Sequence, residues 1–373
     1  MRLLVGTRKG LFFLSRKASG DSWNVDNVAF LGDPVPMFLS DQRDGSVYAA
    51  LNLGHFGVKM HRSTDAGKSW EPCAAPIYPA ANGAGDPTAP PLPDAPPVKG
   101  ASLEYVWALE TADPKTAGTL WCGTVPGGLF YSSDFGKSWE LNTSLWENPK
   151  RKEWFGGGMG QPGVHSVCVH PENSSHLTLG VSCGGVWITK DAGSSWDCQA
   201  DGMFAAYMPP DRAADPNIQD PHRVAQSPAD PNVLWAQHHN GIFKTDDGCK
   251  SWYEIKSAGP STFGFAAVAH PADAKTAWFV PAKKDECRVP VDGKVVVTRT
   301  RDGGKSFQTL SRGLPQENAY HIVFRHGMDV APDGETLAFG STTGGLWTTD
   351  NAGDAWQQVS SDLPPIYCVR FEP

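Results

Sequence analysis

The chain has 373 residues, of which 40 are glycine, 31 are proline and 14 are tryptophan, while only 19% are charged. This composition is typical of many short strands joined by tight turns, and it argues against a helical bundle, a coiled coil or a disordered chain. The net charge of −8, without a basic run, argues against nucleic-acid binding, and no apolar run long enough for a membrane span occurs.

The first residues, MRLLVGTRKGLFFLS, carry Arg8 and Lys9 inside their apolar segment and therefore lack the core of a signal peptide. The 8 cysteines are scattered without a CxxC pair, which is typical of reduced thiols that are mostly buried. Together these observations predict a cytoplasmic protein.

A short pattern, S/T-x-D-x-G-x-x-W, recurs along the chain, and we call it the turn repeat. The copies are RKASGDSW ending at Trp23, STDAGKSW at Trp70, SSDFGKSW at Trp139, TKDAGSSW at Trp196, TDDGCKSW at Trp252, TRDGGKSF at Phe307 and TDNAGDAW at Trp356. The acidic position is held by Asp65, Asp134, Asp191, Asp247 and Asp302, then by Asn351 in the last copy and Ala18 in the first. Successive copies end 47 to 69 residues apart.

The segments around each turn repeat also recur. Two β-rich segments precede it, such as TLWCGT and GLFYSS, and an apolar strand that often ends in a proline turn, such as VHSVCVHPEN, precedes those. A shorter strand follows each copy. Four short antiparallel strands at this period predict one blade of a β-propeller. We therefore predict an all-β, seven-bladed propeller that forms a single domain over residues 1–373.

The first blade lacks its innermost strand at the N-terminus, where the chain starts directly with RLLVGT. The last segment, IYCVRFEP at residues 366–373, matches the missing strand in spacing and character. We expect it to complete the first blade, which closes the ring and removes open sheet edges.

The turn repeat resembles the Asp-box, or BNR repeat, of sialidase-like proteins, and the resemblance covers nearly the whole chain. Seven copies are similar in plan to the propellers described as glycosyl hydrolases or as resembling photosystem II assembly factors. The resemblance does not extend to true sialidases, which have six blades, an arginine triad, an RIP motif and a Tyr/Glu nucleophile pair. No RIP sequence occurs here.

The turn repeats are predicted to be structural, because seven dispersed copies cannot form one active site. The aspartate can accept hydrogen bonds from turn amides, the glycine permits a positive φ, and the aromatic residue packs beneath the turn. The family resemblance implies that these turns lie on the face opposite the ligand site.

That opposite face, which we call the top face, carries the loops between the second and third strands of each blade and the loops between blades. Five long insertions are predicted there, at about 72–102, 143–163, 199–220, 281–294 and 312–325. Long loops in a compact fold commonly carry function, so we expect the functional site on this face.

Histidines and arginines concentrate on the predicted top face. The predicted ligand-binding residues are His55, His165, His222, Arg223, His238, His239, Arg325 and His326. The catalytic candidates are His165, His222, Arg223, Glu153 and Glu317. The strongest convergence is expected where His165 and His222-Arg223 begin adjacent inner strands, beside the turn at His238-His239.

Three interpretations of this cluster compete. Arginine can bind a carboxylate or phosphate while histidine exchanges protons, which predicts a site for a small polar or anionic ligand. Several imidazoles can hold a divalent metal, but no HxH or HExxH spacing supports this, so we expect no cofactor. The histidines can also simply satisfy buried carbonyls.

The sequence leaves an enzyme and a scaffold as alternatives. A glycosidase would need two carboxylates, with Glu153, Asp220, Asp285 and Glu317 as candidates, whereas a lyase would use a histidine or tyrosine base such as Tyr207 or Tyr320. A non-catalytic scaffold would bind a protein partner on the top face. A deep pocket holding His165, His222, Arg223 and a carboxylate pair would favour a ligand site, and a flat top plugged by loops 143–163 and 199–220 would favour a scaffold.

Overall fold

The computed structural model describes residues 1–79 and 100–372, and these residues form seven four-stranded antiparallel sheets. The sheets are the blades of a seven-bladed β-propeller, as the spacing of the turn repeats predicted. Part of the predicted insertion at 72–102 lies outside the described residues.

The first four blades follow one another along the chain, apart from the innermost strand of blade 1. Blade 1 contains β28 (Ile366–Glu372), β1 (Arg2–Thr7), β2 (Gly10–Ser15) and β3 (Asn24–Ala29). Blade 2 contains β4 (Met37–Asp41), β5 (Ser46–Asn52), β6 (Val58–Ser63) and β7 (Glu71–Cys73). Blade 3 contains β8 (Tyr105–Thr111), β9 (Leu120–Val125), β10 (Leu129–Ser132) and β11 (Glu140–Leu141). Blade 4 contains β12 (Gly163–His170), β13 (Asn173–Ser182), β14 (Gly185–Thr189) and β15 (Asp197–Cys198).

The last three blades repeat this order from the innermost strand to the outermost. Blade 5 contains β16 (Pro221–Gln226), β17 (Leu234–His238), β18 (Gly241–Thr245) and β19 (Tyr253–Ile255). Blade 6 contains β20 (Gly264–Ala269), β21 (Ala277–Pro281), β22 (Val297–Thr300) and β23 (Gln308–Leu310). Blade 7 contains β24 (Met328–Val330), β25 (Leu337–Gly340), β26 (Leu346–Thr349) and β27 (Gln357–Ser360).

Helical structure in the described residues is limited to short loop segments. They are the α-helix α1 (Thr143–Trp146) and four 3-10 helices at Gly54–Phe56, Pro149–Glu153, Pro216–Ile218 and Val291–Gly293. None of them has the length and apolar character that crossing a bilayer requires.

The C-terminal strand closes the ring as predicted. β28 pairs with β1 in antiparallel register, with Leu3 opposite Phe371 and Val5 opposite Val369. All four side chains are buried in an apolar cluster that also includes residues of blade 7. The first blade therefore depends on both ends of the chain, and β1 is not left as an open edge.

The turn repeats join the third and fourth strands of their blades. In the second copy, Oδ1 of Asp65 accepts hydrogen bonds from the amides of Lys68 and Ser69, at 3.0 and 2.9 Å. The Ser63 hydroxyl accepts one from the amide of Gly67, whose φ of 84° is open to glycine without strain. The hydrogen bond to Oδ1 from the amide four residues further on recurs at Asp134, Asp191, Asp247 and Asp302. These contacts support the structural interpretation of the turn repeats.

The direction of the strands determines which residues can meet. The innermost strand of each blade runs away from the top face, so its first residues lie at the top end of the central channel. The loops between second and third strands return to the same end. Residues distant in sequence therefore converge there, while the turn repeats lie at the other end.

Candidate functional site

A cavity of about 750 Å³ opens at the top end of the channel. Its walls combine the starts of innermost strands with loops from several blades. Four of the five predicted insertions contribute lining residues, namely Gly157, Tyr207, Asp285 and Arg325. Its aromatic lining residues are Tyr105, Trp107, Phe155, Tyr207, Phe265, Phe324 and Tyr367. A concave, largely apolar cavity of this size with a few polar groups is typical of a small-molecule site.

The polar part of the cavity is centred on Asp220, which immediately precedes β16. Its Oδ2 lies 3.5 Å from Nε2 of His222 and 3.5 Å from Nδ1 of His239. Its Oδ1 accepts hydrogen bonds from the Ser182 hydroxyl and the Cys183 amide, both at 3.1 Å. Burial favours the neutral acid, but the polar contacts with His222 and His239, together with the positive charge of Arg325, outweigh burial and hold the pKa of Asp220 well below its usual value.

His222 is fixed by the neighbouring blade. Its Nδ1 lies 2.7 Å from the carbonyl oxygen of Gly264, so Nδ1 must carry the proton of this hydrogen bond. The ring of Phe265 stacks on the imidazole at 4.5 Å. Burial lowers the pKa of His222 despite the nearby Asp220 carboxylate, which favours the neutral ring. In that ring the lone pair of Nε2 faces Asp220.

His239 lies in the turn between β17 and β18, and its imidazole is placed between two carboxylates. Its Nδ1 faces Asp220, and its Nε2 lies 3.8 Å from Oδ2 of Asp285. Asp285 accepts a 2.9 Å hydrogen bond from Nε of Arg288. The Tyr207 ring packs edge-on against the imidazole at 4.8 Å. His239 is more exposed than His222, and its surroundings allow contact with a ligand.

Arg325 carries a positive charge without an acidic partner. Among the described residues, no carboxylate oxygen lies within ion-pairing distance of its guanidinium, and its buried Nε lacks a hydrogen-bond partner. The guanidinium lies over the rings of Trp107 and Phe265, at 4.6 and 5.6 Å from their centres. Burial lowers its pKa to about 10, so the group remains charged at neutral pH. The charge of Asp220 favours the charged form of Arg325 from a distance, but the guanidinium itself lies against aromatic faces and not in an ion pair.

Two of the predicted histidines are buried within the blades and do not line the cavity. Nε2 of His165 lies 2.7 Å from the carbonyl oxygen of Pro221, and its Nδ1 lies 2.9 Å from the Ser166 hydroxyl. Nε2 of His238 accepts a 3.1 Å hydrogen bond from the Asp220 amide, and burial lowers the pKa of His238 to about 3. Both rings therefore hold the start of β16, at Asp220 and Pro221, in position.

Arg223 lines a different cavity from His222. Successive residues of a strand point to opposite faces of the sheet, so the side chains of His222 and Arg223 diverge. Arg223 lines a second cavity of about 590 Å³ at the opposite end of the channel. Its Nη1 lies 3.0 Å from Nδ1 of His326, and the His326 ring contributes to both cavities. The predicted His222-Arg223 pair is therefore divided between the two ends of the channel.

The remaining candidates lie outside the cavity lining. His55 is exposed in the 3-10 helix Gly54–Phe56 and packs edge-on against Phe56. Glu153 is exposed and forms a 2.9 Å ion pair with Arg212, and Glu317 is exposed on a loop. The structure therefore brings together His222, His239, Arg325 and His326, together with Asp220 and Asp285.

The sequence interpretation missed Arg288 and Trp107. Arg288 lies in an insertion that was predicted, but nothing in the segment KKDECR marks its side chain as facing the channel. Trp107 reads as an ordinary apolar residue of β8. The sequence Asp220-Pro221-His222 could have predicted the centre of the site. An acid and a histidine that are two positions apart at the start of an innermost strand point to the same side, here toward the channel.

No protein-family model matches the chain, and no curated protein matches it by sequence. Among solved structures, it is similar to the GH74 xyloglucanase from Xanthomonas campestris, with a TM-score of 0.62 and 16% identity over 95% of this chain and 52% of that one. It is similar to YCF48 bound to D1 peptide, with a TM-score of 0.52 and 13% identity over 87% of this chain and 80% of that one. A putative 6-phosphogluconolactonase from Bacteroides uniformis has a TM-score of 0.57 and 11% identity over 100% and 99% of the two chains.

This chain thus spans about half the length of the xyloglucanase. At these identities the similarity shows the propeller fold alone, and propellers support many functions. The fold and the cavity define a seven-bladed β-propeller with a polar, aromatic-walled cavity at one end of its channel.

Proposed function

We propose that this protein binds a small anionic ligand, of the size and polarity of a sugar acid or sugar phosphate, in the top-face cavity. The observation that carries the proposal is the guanidinium of Arg325, which lines the cavity, lies over two aromatic rings and forms no ion pair among the described residues. A carboxylate or phosphate can accept two parallel hydrogen bonds from such a group. Desolvating a charged arginine is unfavourable unless an anion compensates it.

The walls of the cavity support a ligand with apolar faces as well as charge. Trp107 and Phe265 flank Arg325, while Tyr207 lines the same cavity beside His239. Aromatic rings of this kind pack against the C–H faces of a sugar ring, and the ion pair of Asp285 with Arg288 presents charged groups to the same cavity. The volume of about 750 Å³ accommodates a ligand of one or two sugar rings.

The geometry supports some kinds of catalysis better than others. A carboxylate-pair glycosidase needs one protonated acid, yet Asp220 is held ionised and neither Glu153 nor Glu317 lines the cavity. Tyr320 is exposed and also lies outside the cavity lining, whereas Tyr207 lines it. Burial raises the pKa of Tyr207, so its hydroxyl stays protonated at neutral pH and does not serve as a base. His239 is the imidazole best placed to exchange a proton with a ligand, so a lyase-like or hydrolase-like reaction is the catalytic form of this proposal.

The scaffold alternative rests on the similarity to YCF48, whose structure holds D1 peptide. The cavity of about 750 Å³ favours a small ligand over a flat docking surface.

We also propose that the turn repeats are Asp-boxes and that the protein is cytoplasmic. The shared hydrogen-bond pattern of the turn repeats supports the first, and 8 free cysteines support the second.

The proposal is tested by titration calorimetry with D-glucuronate and glucose 6-phosphate, using glucose as the neutral control. We expect binding of at least one of the two anions and none of glucose. Arg325→Gln should weaken anion binding about 10- to 100-fold, since hydrogen bonds to charged groups contribute about 1.5–3 kcal/mol. Arg223→Gln is the matched control, because it removes a guanidinium from the other cavity.

Two results would contradict the proposal. One is equal binding of glucose and the anions by the wild-type protein. The other is an Arg325→Gln variant that is folded by circular dichroism and binds the anions as tightly as Arg223→Gln does. A protein that binds neither anion but retains a peptide partner would favour the scaffold alternative.

A further inference from the structure

We propose that Asp220, His222 and His239 bind one divalent transition-metal ion, such as Zn²⁺, at the polar end of the top-face cavity. One ligand atom from each residue lies within 4.8 Å of the other two. The proposal concerns metal binding by these three side chains and does not depend on the anionic ligand proposed above.

The separations between the ligand atoms fit a small metal ion. Oδ2 of Asp220 lies 3.5 Å from Nε2 of His222 and 3.5 Å from Nδ1 of His239. Two ligands bound tetrahedrally at about 2.0–2.1 Å from a zinc ion are about 3.4 Å apart. Both observed distances match this value, and they are longer than a normal charge-assisted hydrogen bond of about 2.7–2.9 Å.

Two of the three proposed ligands are oriented by hydrogen bonds on their other polar atom. Oδ1 of Asp220 accepts hydrogen bonds from Ser182 and Cys183, which leaves Oδ2 free. Nδ1 of His222 donates to the Gly264 carbonyl. Histidines that ligate metals usually donate their remote N–H to a carbonyl or a carboxylate. Nε2 of His239 faces the Asp285 carboxylate at 3.8 Å, which is longer than a hydrogen bond.

The cluster is buried, so its charge must be compensated within the protein. Asp220 is 6% exposed and His222 is 2% exposed, and both line the cavity. A carboxylate that is removed from water is stable when it is paired or when it coordinates a metal. Because Nδ1 of His222 is bonded to the Gly264 carbonyl, Nε2 is the ring atom that faces Asp220.

The ligand types indicate the class of metal. Two imidazole nitrogens and one carboxylate oxygen suit zinc and other first-row transition ions, whereas Mg²⁺ and Ca²⁺ prefer oxygen ligands alone. Three protein ligands leave a coordination position that faces the cavity. An anion whose oxygen occupied this coordination position would lie in the same cavity as Arg325. It could therefore contact both the metal ion and the guanidinium.

The test measures Zn²⁺ binding to protein stripped with a chelator, by competition with a chromophoric chelator, and Co²⁺ binding from its visible absorption. We expect one equivalent bound with submicromolar affinity and a Co²⁺ spectrum of a low-coordination site. His239→Ala should weaken binding at least 100-fold, and this partly exposed position tolerates the change. Asp285→Asn should weaken binding less than His239→Ala does, because Asp285 faces Nε2 of His239 at 3.8 Å without a hydrogen bond.

Two variants control for adventitious binding by other histidines. His55→Ala removes an exposed imidazole from the same end of the molecule. His176→Ala removes one ring of the His170–His176 pair, which stacks at 5.4 Å. Both variants should bind one equivalent with unchanged affinity. A folded His239→Ala protein that binds Zn²⁺ as tightly as the wild type would overturn the proposal, and so would loss of binding in His176→Ala alone.

Different results would overturn the metal-site proposal and the anion-site proposal. Arg325→Gln should retain Zn²⁺ affinity within about threefold, because Arg325 is not a ligand. A wild-type protein that binds glucuronate but no stoichiometric Zn²⁺ or Co²⁺ overturns the metal site and leaves the anion site standing. Stoichiometric metal binding without binding of either anion gives the reverse result.

Discussion

The guanidinium of Arg325 lies 4.6 Å from the ring centre of Trp107, across the channel between blades 7 and 3. This contact holds a charged side chain against the wall of the cavity instead of in an ion pair. The aromatic face therefore positions the group that we propose to bind the anion, and it leaves the N–H groups available.

Trp107→Phe should weaken anion binding about two- to fivefold while retaining the fold. Phenylalanine offers a smaller and less electron-rich face, so the guanidinium is held less firmly. Calorimetry with the anion that binds the wild type is the measurement. Trp121→Phe, at a buried position of the same blade that does not contact Arg325, is the control and should leave affinity unchanged. Equal losses in both variants would show that general destabilisation is responsible.

Asp329 provides a pH-dependent contribution to stability at the other end of the channel. Burial raises the pKa of its carboxyl from 3.8 to about 6, although Arg370 and Arg223 favour the charged form. Because the folded-state pKa is raised, the stability from this group is fully present below about pH 4 and is lost as pH rises through 6. At higher pH the folded protein bears the cost of a buried carboxylate, at most about 3 kcal/mol.

Asp329→Asn should therefore gain stability relative to the wild type between pH 4 and pH 7. The asparagine oxygen can still accept the 2.8 Å hydrogen bond from the Phe371 amide. Urea unfolding at a series of pH values measures the difference. A difference in unfolding free energy that is constant over this range would contradict the raised pKa of Asp329.

Arg370 and Glu110 connect the closing strand β28 to β8 of blade 3, passing blade 2. Nη2 of Arg370 lies 2.6 Å from Oε1 of Glu110, and Nη1 lies 3.1 Å from Oε2. We expect Glu110→Gln to lower the free energy of unfolding by about 1–3 kcal/mol, since it leaves a largely buried guanidinium without its partner.

A double-mutant cycle tests this ion pair. Arg370→Met with Glu110→Gln should be less destabilising than the sum of the single variants, with a coupling of about 1–3 kcal/mol. Additive effects would show that the two side chains contribute independently to the closure of the ring.

The last turn repeat is incomplete, and restoring it should stabilise blade 7. Asn351 accepts a 2.9 Å hydrogen bond from the Ala355 amide, but Ala355 has no hydroxyl to complete the set seen in the second copy. The double variant Asn351→Asp with Ala355→Ser should raise stability by about 0.5–1 kcal/mol. Thermal unfolding measures the gain, and Ala355→Ser alone serves as the control. No gain over that control would mean that the turn does not limit the stability of the blade.

The fold was predictable because the turn repeat reports directly on the period of the blades. The seven copies and their flanking strands predicted the sheet order, and the displaced segment at 366–373 predicted that β28 pairs with β1. Because the pattern occurs seven times, no single copy needs to be complete. The copies with Ala18 and Asn351 in place of the aspartate are still recognised by their other residues and their spacing.

The site was predictable only in part, because strand position does not define which neighbour a side chain meets. His222 and Arg223 are adjacent in sequence, yet they line cavities at opposite ends of the channel. His165 also begins an innermost strand, but its ring is used to bind the Pro221 carbonyl. Alternation along β16 separates these neighbouring side chains, and it is a local property that the sequence carries. Which buried carbonyl a histidine binds is a tertiary effect that one sequence does not encode locally.

The location of a bound anion tests the central claim most directly. A crystal structure with D-glucuronate or glucose 6-phosphate should show the carboxylate or phosphate within hydrogen-bonding distance of Arg325, with the sugar ring between Trp107 and Tyr207. An anion bound instead beside Arg223 in the opposite cavity, or a top-face cavity that stays free of ligand at saturating concentration, would contradict the account.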